Sequence, residues 1–338
     1  MACCRYLASQ VKPRKTRAPD NTGPIAPGAG PRGSDFPSQR NETSDFGRRR
    51  GSSTLRQTTA PRGTMATPAL QLEKPARPGT PPAIVTGMLE PDHRLRGAVL
   101  LLGNFDGLHL GHQALIGLAR RMAGARPVAV MSCEPHPRCF FGTEPGPFRL
   151  ATPACKRRLL LPHGVDFIYS PRFDRAFADL APQDFAGFVL AGELGVTQVI
   201  AGPDFRFGRR RAGDMDLLDE LGQKHGFAVG RAPVVTVDGA RASSSRIRAA
   251  IRAGDLRAAA GLLGGGWLVE TRRSPCGRLE LHPDLCRPRA GRYLGAPEGG
   301  RGRSETTMID ITADGGFLPL GPRSLDGTPG LWRLAAQV

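Results

Sequence analysis

Apolar positions fall into a regular order only after residue 82. Residues 98–102 form an unbroken apolar run closed by Gly103, the pattern of a parallel strand buried on both faces. The period then changes. Over 111–123, Leu115, Leu118, Ala119 and Met122 fall on one face of a predicted helix. Further strands are predicted at 127–133, 165–169 and 196–201, with another inside 227–237. Helices are predicted from Thr152 or Pro153 to about 162, and from Pro182, well placed as a first helical residue, to about 194. Another covers 214–225, and two short terminal helices cover 243–252 and 255–263. Strands alternating with helices specify an α/β fold, a Rossmann-like parallel sheet with flanking helices and right-handed crossovers. Such sheets bind ligands beyond the carboxyl ends of their strands.

Both ends of the chain depart from that rhythm. Gly264, Gly265 and Gly266 form a hinge, after which short apolar pieces between Gly and Pro turns predict a small β-rich module over 266–338. Residues 1–82 are rich in Pro, Gly, Ser, Thr and Arg and predict a disordered basic extension. Its first 19 residues lack acids, as transit peptides do, but initiation at Met65 is the simpler expectation. The expected organisation is therefore an extension at 1–82, an α/β domain at 83–265 and a β module at 266–338.

Charge adds less than it first promises. A net charge of +17 over 338 residues favours anionic partners. However, residues 1–82 alone hold 14 Lys and Arg against 5 Asp and Glu, and no aromatics interleave the basic stretches. No nucleic-acid partner is expected on that composition. Seven cysteines without a CxxC pair argue against structural zinc and suit a reducing cytoplasm. The longest apolar runs fall far short of a bilayer span, so no membrane partner is expected and a cytoplasmic location is.

The chemistry concentrates in Gly103-Asn104-Phe105-Asp106-Gly107-Leu108-His109-Leu110-Gly111-His112, which leaves a strand and opens a helix. Glycines let backbone approach a ligand closely. A helix start offers free N–H groups and a positive dipole end to phosphate. His109 and His112, three apart and flanking Gly111, can project to one side and neutralise charge developing at an α-phosphate. Three further stretches carry polar groups at element ends. Glu134-Pro135-His136-Pro137 presents His136 rigidly between prolines. Residues 202–214 mix Asp204, Phe205, Phe207 and Arg211 between glycines. Ser243-Ser244-Ser245-Arg246-Ile247-Arg248 opens a helix with hydroxyls and an arginine suited to forked phosphate contacts.

GNFDGLHLGH resembles the first signature of the bacterial FAD synthetase family, which combines riboflavin kinase and FMN adenylyltransferase activities. The other three stretches resemble, in order, the family's F-x-PHP turn, with Cys133 in the aromatic position, its G-x-DFRFG-x-x-R-x-GD loop, and its SSTRIR element, with Ser245 in the threonine position. The resemblance covers about 83–265 and implies transfer of AMP from ATP to FMN, giving FAD and pyrophosphate without a covalent enzyme intermediate. It implies His109, His112, Ser244 and Arg248 as catalytic residues. It implies ATP binding by Gly103, Asn104, Phe105, Asp106, Gly107, Gly111, Ser243 and Ser245, and FMN binding by Pro135, His136, Asp204, Phe205, Phe207 and Arg211. Mg²⁺ is expected to arrive with ATP; no residues are assigned as its ligands.

The family's kinase segment, GRG-x-x-LGFPTAN, has no counterpart. Residues 271–279 read TRRSPCGRL, no PTAN follows, and 72 residues are few for a complete kinase barrel. Residues 291–293 and 308–312 are read as remnants of barrel strands. The expectation is a lost or impaired kinase. The competing readings are a bifunctional enzyme with a diverged kinase site, a nucleotidyltransferase acting on another acceptor, a flavin- or nucleotide-binding protein without turnover, and an Arg-rich nucleic-acid binder.

Overall fold

The computed structural model describes residues 81–144, 146–298, 306–320 and 330–338. The extension expected at 1–82 lies outside the described residues, except for its last two positions.

Six strands form one parallel sheet in the order β1-β4-β3-β2-β5-β6. They are β1 Ala83–Val85, β2 Val99–Leu102, β3 Val128–Met131, β4 Phe167–Tyr169, β5 Gln198–Ala201 and β6 Ala228–Arg231. Helix α1 (Leu110–Ala123) follows β2. A single turn α2 (Pro137–Phe140) and α3 (Pro153–Leu160) lie between β3 and β4. The edge strand β1 is too short to have left a periodic signal. The unbroken apolar run of β2 has a direct cause: both faces of the sheet are covered. Leu100 and Leu102 point into a core with Phe167, Phe185, Leu190 and Leu218, whereas Val99 and Leu101 point into a second core with Ile116, Ala119 and Leu160.

Helix starts follow local chemistry. His109 caps α1 and Thr152 caps α3, its hydroxyl accepting Cys155 N–H at 3.2 Å. The helix expected from Pro182 to about 194 begins as α4 (Pro182–Asp184) and widens into a π-helical stretch over Phe185–Glu193. Asp214 caps α5 (Met215–His225), and Gly226 closes it in the left-handed conformation. Ser243 caps α6 (Ser244–Ala253), and Asp255 caps α7 (Leu256–Leu263).

The remaining strands are antiparallel. A β7–β8 hairpin (Thr236–Val237, Ala240–Arg241) precedes α6. Beyond 264–266, β9 Trp267–Arg273, β10 Leu279–Leu281, β11 Gly291–Pro297, β12 Thr307–Ile311, β13 Phe317–Leu320 and β14 Leu331–Gln337 pair in the order β10-β9-β14-β11-β12-β13. A bridge between Glu280 and Gly316, with Leu281 N donating to Gly315 O at 2.9 Å, joins the two ends of this sheet. The six strands therefore close into a small barrel. The segments read as remnants fall within β11 and at β12. Apolar packing crosses the glycine link: Ile247, Ile251, Leu256 and Leu262 of α6 and α7 share one core with Trp267, Tyr293, Phe317 and Trp332.

Candidate active site

The sheet reverses its winding beside β2, since β3 lies on one side of it and β5 on the other. The turn after β2 and the loop after β5 meet at that switch point, where open α/β sheets take ligands. The turn is tightly constrained. Phe105 and Leu108 adopt φ of 47° and 29°, the left-handed region that side chains rarely enter. At Gly107, with φ of 84°, a Cβ would lie 2.7 Å from Leu150.

The two histidines stack, with ring centroids 3.7 Å apart and planes 18° from parallel. Gly111 permits this, because a Cβ there would stand 3.0 Å from two atoms of the His109 ring. His109 Nδ1 accepts His112 N–H at 3.3 Å. Burial, reinforced by nearby Arg241 and opposed by Asp106, lowers the His109 pKa to about 4. The ring is thus neutral at pH 7 with its proton on Nε2, a donor free to meet a phosphate oxygen. Burial first, then His109 and Lys156, holds His112 well below the ordinary range, and its enclosed Nδ1 has no partner.

Both rings border a cavity of about 350 Å³, lined also by Gly111, Gly202, Asp204, Phe205, Arg241 and Ser243. Asp204 pairs with Arg241. The structure therefore brings Asp204 and Phe205, expected on the flavin side, into the histidine pocket. Phe207 is a correction. It is 6% exposed, packs on Phe185 at 5.6 Å, and fills the space left by Gly213, so it is core rather than ligand surface. Arg211 is exposed, with φ of 59°, and does not line the pocket.

Asp106 organises the base of the turn. Its carboxylate accepts Leu150 N at 2.9 Å, Ala151 N at 3.0 Å and Arg248 Nη2 at 2.6 Å. Arg248 is 5% exposed and also donates through Nε to Phe148 O at 2.7 Å. The expectation of a free arginine fork for phosphate is corrected accordingly: in this structure Arg248 is committed to Asp106. Ser244 Oγ donates to Asp106 O at 2.7 Å, Ser243 caps α6, and Ser245 is exposed. Gly103 and Asn104 lead from β2 into the turn, and Phe105 packs against His112 at 4.7 Å.

Pro135 and His136 lie on the Phe148 side. His136 Nδ1 accepts Arg138 N at 3.1 Å and its ring meets Phe148 edge-on at 5.0 Å. Burial lowers its pKa to about 4, opposed by Asp106 and reinforced by Arg149, Lys156 and Arg248. Glu134 takes both terminal nitrogens of Arg149. Beside this turn, Phe140, Phe141 and Phe173 form an aromatic cluster with centroids 5.1–5.8 Å apart.

Sequence reasoning missed Lys156, Arg149 and the Phe140–Phe141 pair. Lys156 sits in a basic run, which reads as a solvated face. Its spacing from Thr152 and Leu160, four residues either way, was the available signal that it faces inward.

The FAD synthetase family profile matches residues 92–246. The bifunctional riboflavin kinase/FMN adenylyltransferase of Haemophilus influenzae is 34% identical over 212 residues, covering 59% of this chain and 69% of that relative. The FAD synthetase of Listeria monocytogenes is 32% identical over 183 residues, covering 54% and 74%. The chain belongs to the FAD synthetase family. The bifunctional relative in Escherichia coli is 39% identical over 178 residues, and the match spans 57% of its length, just over half. A crystal structure titled macrolide-efflux protein, from Streptococcus pneumoniae, shares the fold with a TM-score of 0.62 at 23% identity, over 77% of this chain and 91% of that one. Among the described residues, no helix is long and apolar enough to cross a membrane.

Proposed function

We propose that the chain transfers AMP from ATP to FMN, giving FAD and pyrophosphate, and does not phosphorylate riboflavin. The observation that carries this reading is the neutral, stacked His109–His112 pair at the mouth of a helix, bordering a cavity walled by the loop after β5. A phosphate oxygen of FMN attacks the α-phosphorus of ATP in line. The new P–O bond forms as the bond to the β-phosphate oxygen breaks, and pyrophosphate leaves. His109 Nε2–H, the α1 dipole and the N–H groups of its first turn stabilise charge on the phosphoryl oxygens. Ser244 and Arg248 act through Asp106, setting the turn that carries both histidines. Asp204 and Phe205 border the nucleotide, while Pro135 and His136 approach the flavin phosphate from the Phe148 side. ATP enters as its Mg²⁺ complex. The ion would supply positive charge to the triphosphate as charge develops on it.

The kinase half of the reading rests on residues 271–279, which form the end of β9, the start of β10 and the turn between them, without the family's PTAN segment. Incubation with ATP, Mg²⁺ and either FMN or riboflavin, followed by chromatographic separation of FMN and FAD, tests both halves. FAD from FMN, lost in His112→Ala, with no product from riboflavin is the expected result. Product from riboflavin would show a working kinase. A folded protein that binds ATP and makes nothing from either acceptor would be a binding protein.

A further inference from the structure

Behind the histidine turn lies a buried charged basin that the roles assigned above leave largely unused. Lys156 is 4% exposed; its ammonium is seated on Ser132 Oγ and lies 3.9 Å from Glu134 Oε1. Ser132 Oγ in turn approaches Asn104 O at 3.5 Å. Arg149, 5% exposed, pairs with Glu134, but its Nε has no partner. Arg248 pairs with Asp106. Three cations therefore share two carboxylates. The neighbouring histidines do not add charge: burial keeps His109 and His136 near a pKa of 4 and His112 low. Desolvating a charge is expensive unless an opposite charge completes it. Glu134, with a 31% exposed side chain, is the basin's outlet, on the His136 side. Lys156 does not line the cavity beneath the histidines.

We propose that Lys156 is a positioning residue for the acceptor's phosphomonoester: from behind the Asn104–His112 turn it holds the Ser132–Asn104 contact and supplies the surplus positive charge that the acceptor phosphate neutralises on entering beside His136. It forms no bond and gives up no proton. The inference rests on the adenylyl-transfer reading and assigns one residue's part in it. Because Lys156 does not line the nucleotide cavity and reaches it only through His112, its charge acts more strongly on acceptor use than on ATP binding.

The test compares wild type, Lys156→Met and Ser132→Ala, with FMN varied at saturating ATP, ATP affinity by calorimetry and folding by thermal denaturation. In Lys156→Met, kcat/KM for FMN falls on the order of a hundredfold, the scale for losing a preorganised charge. In Ser132→Ala it falls several-fold, and in both variants ATP affinity stays within about twofold. A folded Lys156→Met with unchanged kcat/KM for FMN, or one that loses ATP affinity in equal measure, overturns the inference. If Lys156→Met does not fold, Ser132→Ala decides, and unchanged FMN parameters there overturn it. Wild type that makes no FAD from FMN overturns the adenylyl-transfer reading and this inference with it. Active wild type with an equally active Lys156→Met overturns this inference alone.

Discussion

Asp106→Asn tests whether the buried ion pair with Arg248 frames the site. Asp106 is 3% exposed and accepts three N–H groups, two from the 150–151 backbone and one from Arg248. Asparagine matches the shape. Its carbonyl oxygen keeps the two backbone donors, but its NH₂ then faces the Arg248 Nη2, donor against donor. The guanidinium is left buried and uncompensated, which costs about 3–5 kcal/mol. Against a usual domain stability of about 5–15 kcal/mol that is a large fraction. At about 2–4 °C per kcal/mol for a chain of this size, Tm falls by about 6–20 °C. Urea and thermal unfolding of Asp106→Asn, Arg248→Met and the double variant measure it. The double variant removes the stranded charge and recovers part of the loss, with a coupling energy of about 2 kcal/mol or more. A Tm within about 2 °C of wild type for Asp106→Asn, or single losses that simply add, would refute the assignment of Asp106 as the counter-charge of Arg248.

Three further outcomes follow from the geometry. Gly111→Ala places a Cβ 3.0 Å from the His109 ring, so the stacked pair separates; FAD formation from FMN falls about tenfold or more, with little change in the urea midpoint. Stability declines as pH falls from about 6.5 towards 4. His109 and His136 have folded pKa values of about 4, below their unfolded 6.5, so the unfolded chain binds more protons in that window. Each of these two histidines removes about 2 kcal/mol by about pH 5, read as a falling urea midpoint that falls less steeply in the His109→Gln/His136→Gln variant, where His112 still contributes with the same sign. Trp267→Phe leaves Leu150 O without its 2.8 Å donor, costs about 1–3 kcal/mol and lowers FAD synthesis, whereas Trp332→Phe, in the barrel core, lowers stability alone.

Much of the α/β architecture was legible because period and burial agree. The VLLL of β2 reads as doubly buried, and it is; Asp214, Ser243 and Thr152 read as helix starts, and each side chain accepts the expected N–H. Gly103 to His112 was legible as a site because glycines, a strand exit and two histidines coincide. What escaped depends on tertiary pairing. A predicted phosphate fork at Arg248 became a buried partner of Asp106, 142 residues away. Nothing local distinguishes the two fates, since both require an arginine near a helix start. Phe205 and Phe207 lie in one glycine-bounded loop and stack on each other 5.9 Å apart, yet only Phe207, seated against Gly213 and Phe185, is taken into the core, while Phe205 borders the cavity. The barrel's closure was hidden because it depends on one bridge between its first and last strands in sheet order.

Residues 148–152 show why the C-terminal module matters to a site it does not line. This strap faces the turn on one edge and the barrel on the other. Towards the turn, Phe148 O receives Arg248 and the N–H groups of Leu150 and Ala151 hold Asp106. Towards the barrel, Arg149 N donates to Asp284 O at 2.9 Å, Cys286 N donates to Arg149 O at 2.8 Å, Trp267 Nε1 donates to Leu150 O, and the Thr152 hydroxyl meets Glu270. Thr152 also starts α3, whose next turn carries Lys156. Glu298 adds a clamp, taking Arg158 of α3 at 2.9 Å and Arg333 of β14 at 3.0 Å. Asp106 and Lys156 thus take their positions from backbone that the barrel pins. A barrel without the kinase segment is still constrained by these contacts: displacing the strap by an ångström would move the carboxylate under the histidine turn, and a shift of that size is enough to misalign phosphoryl transfer.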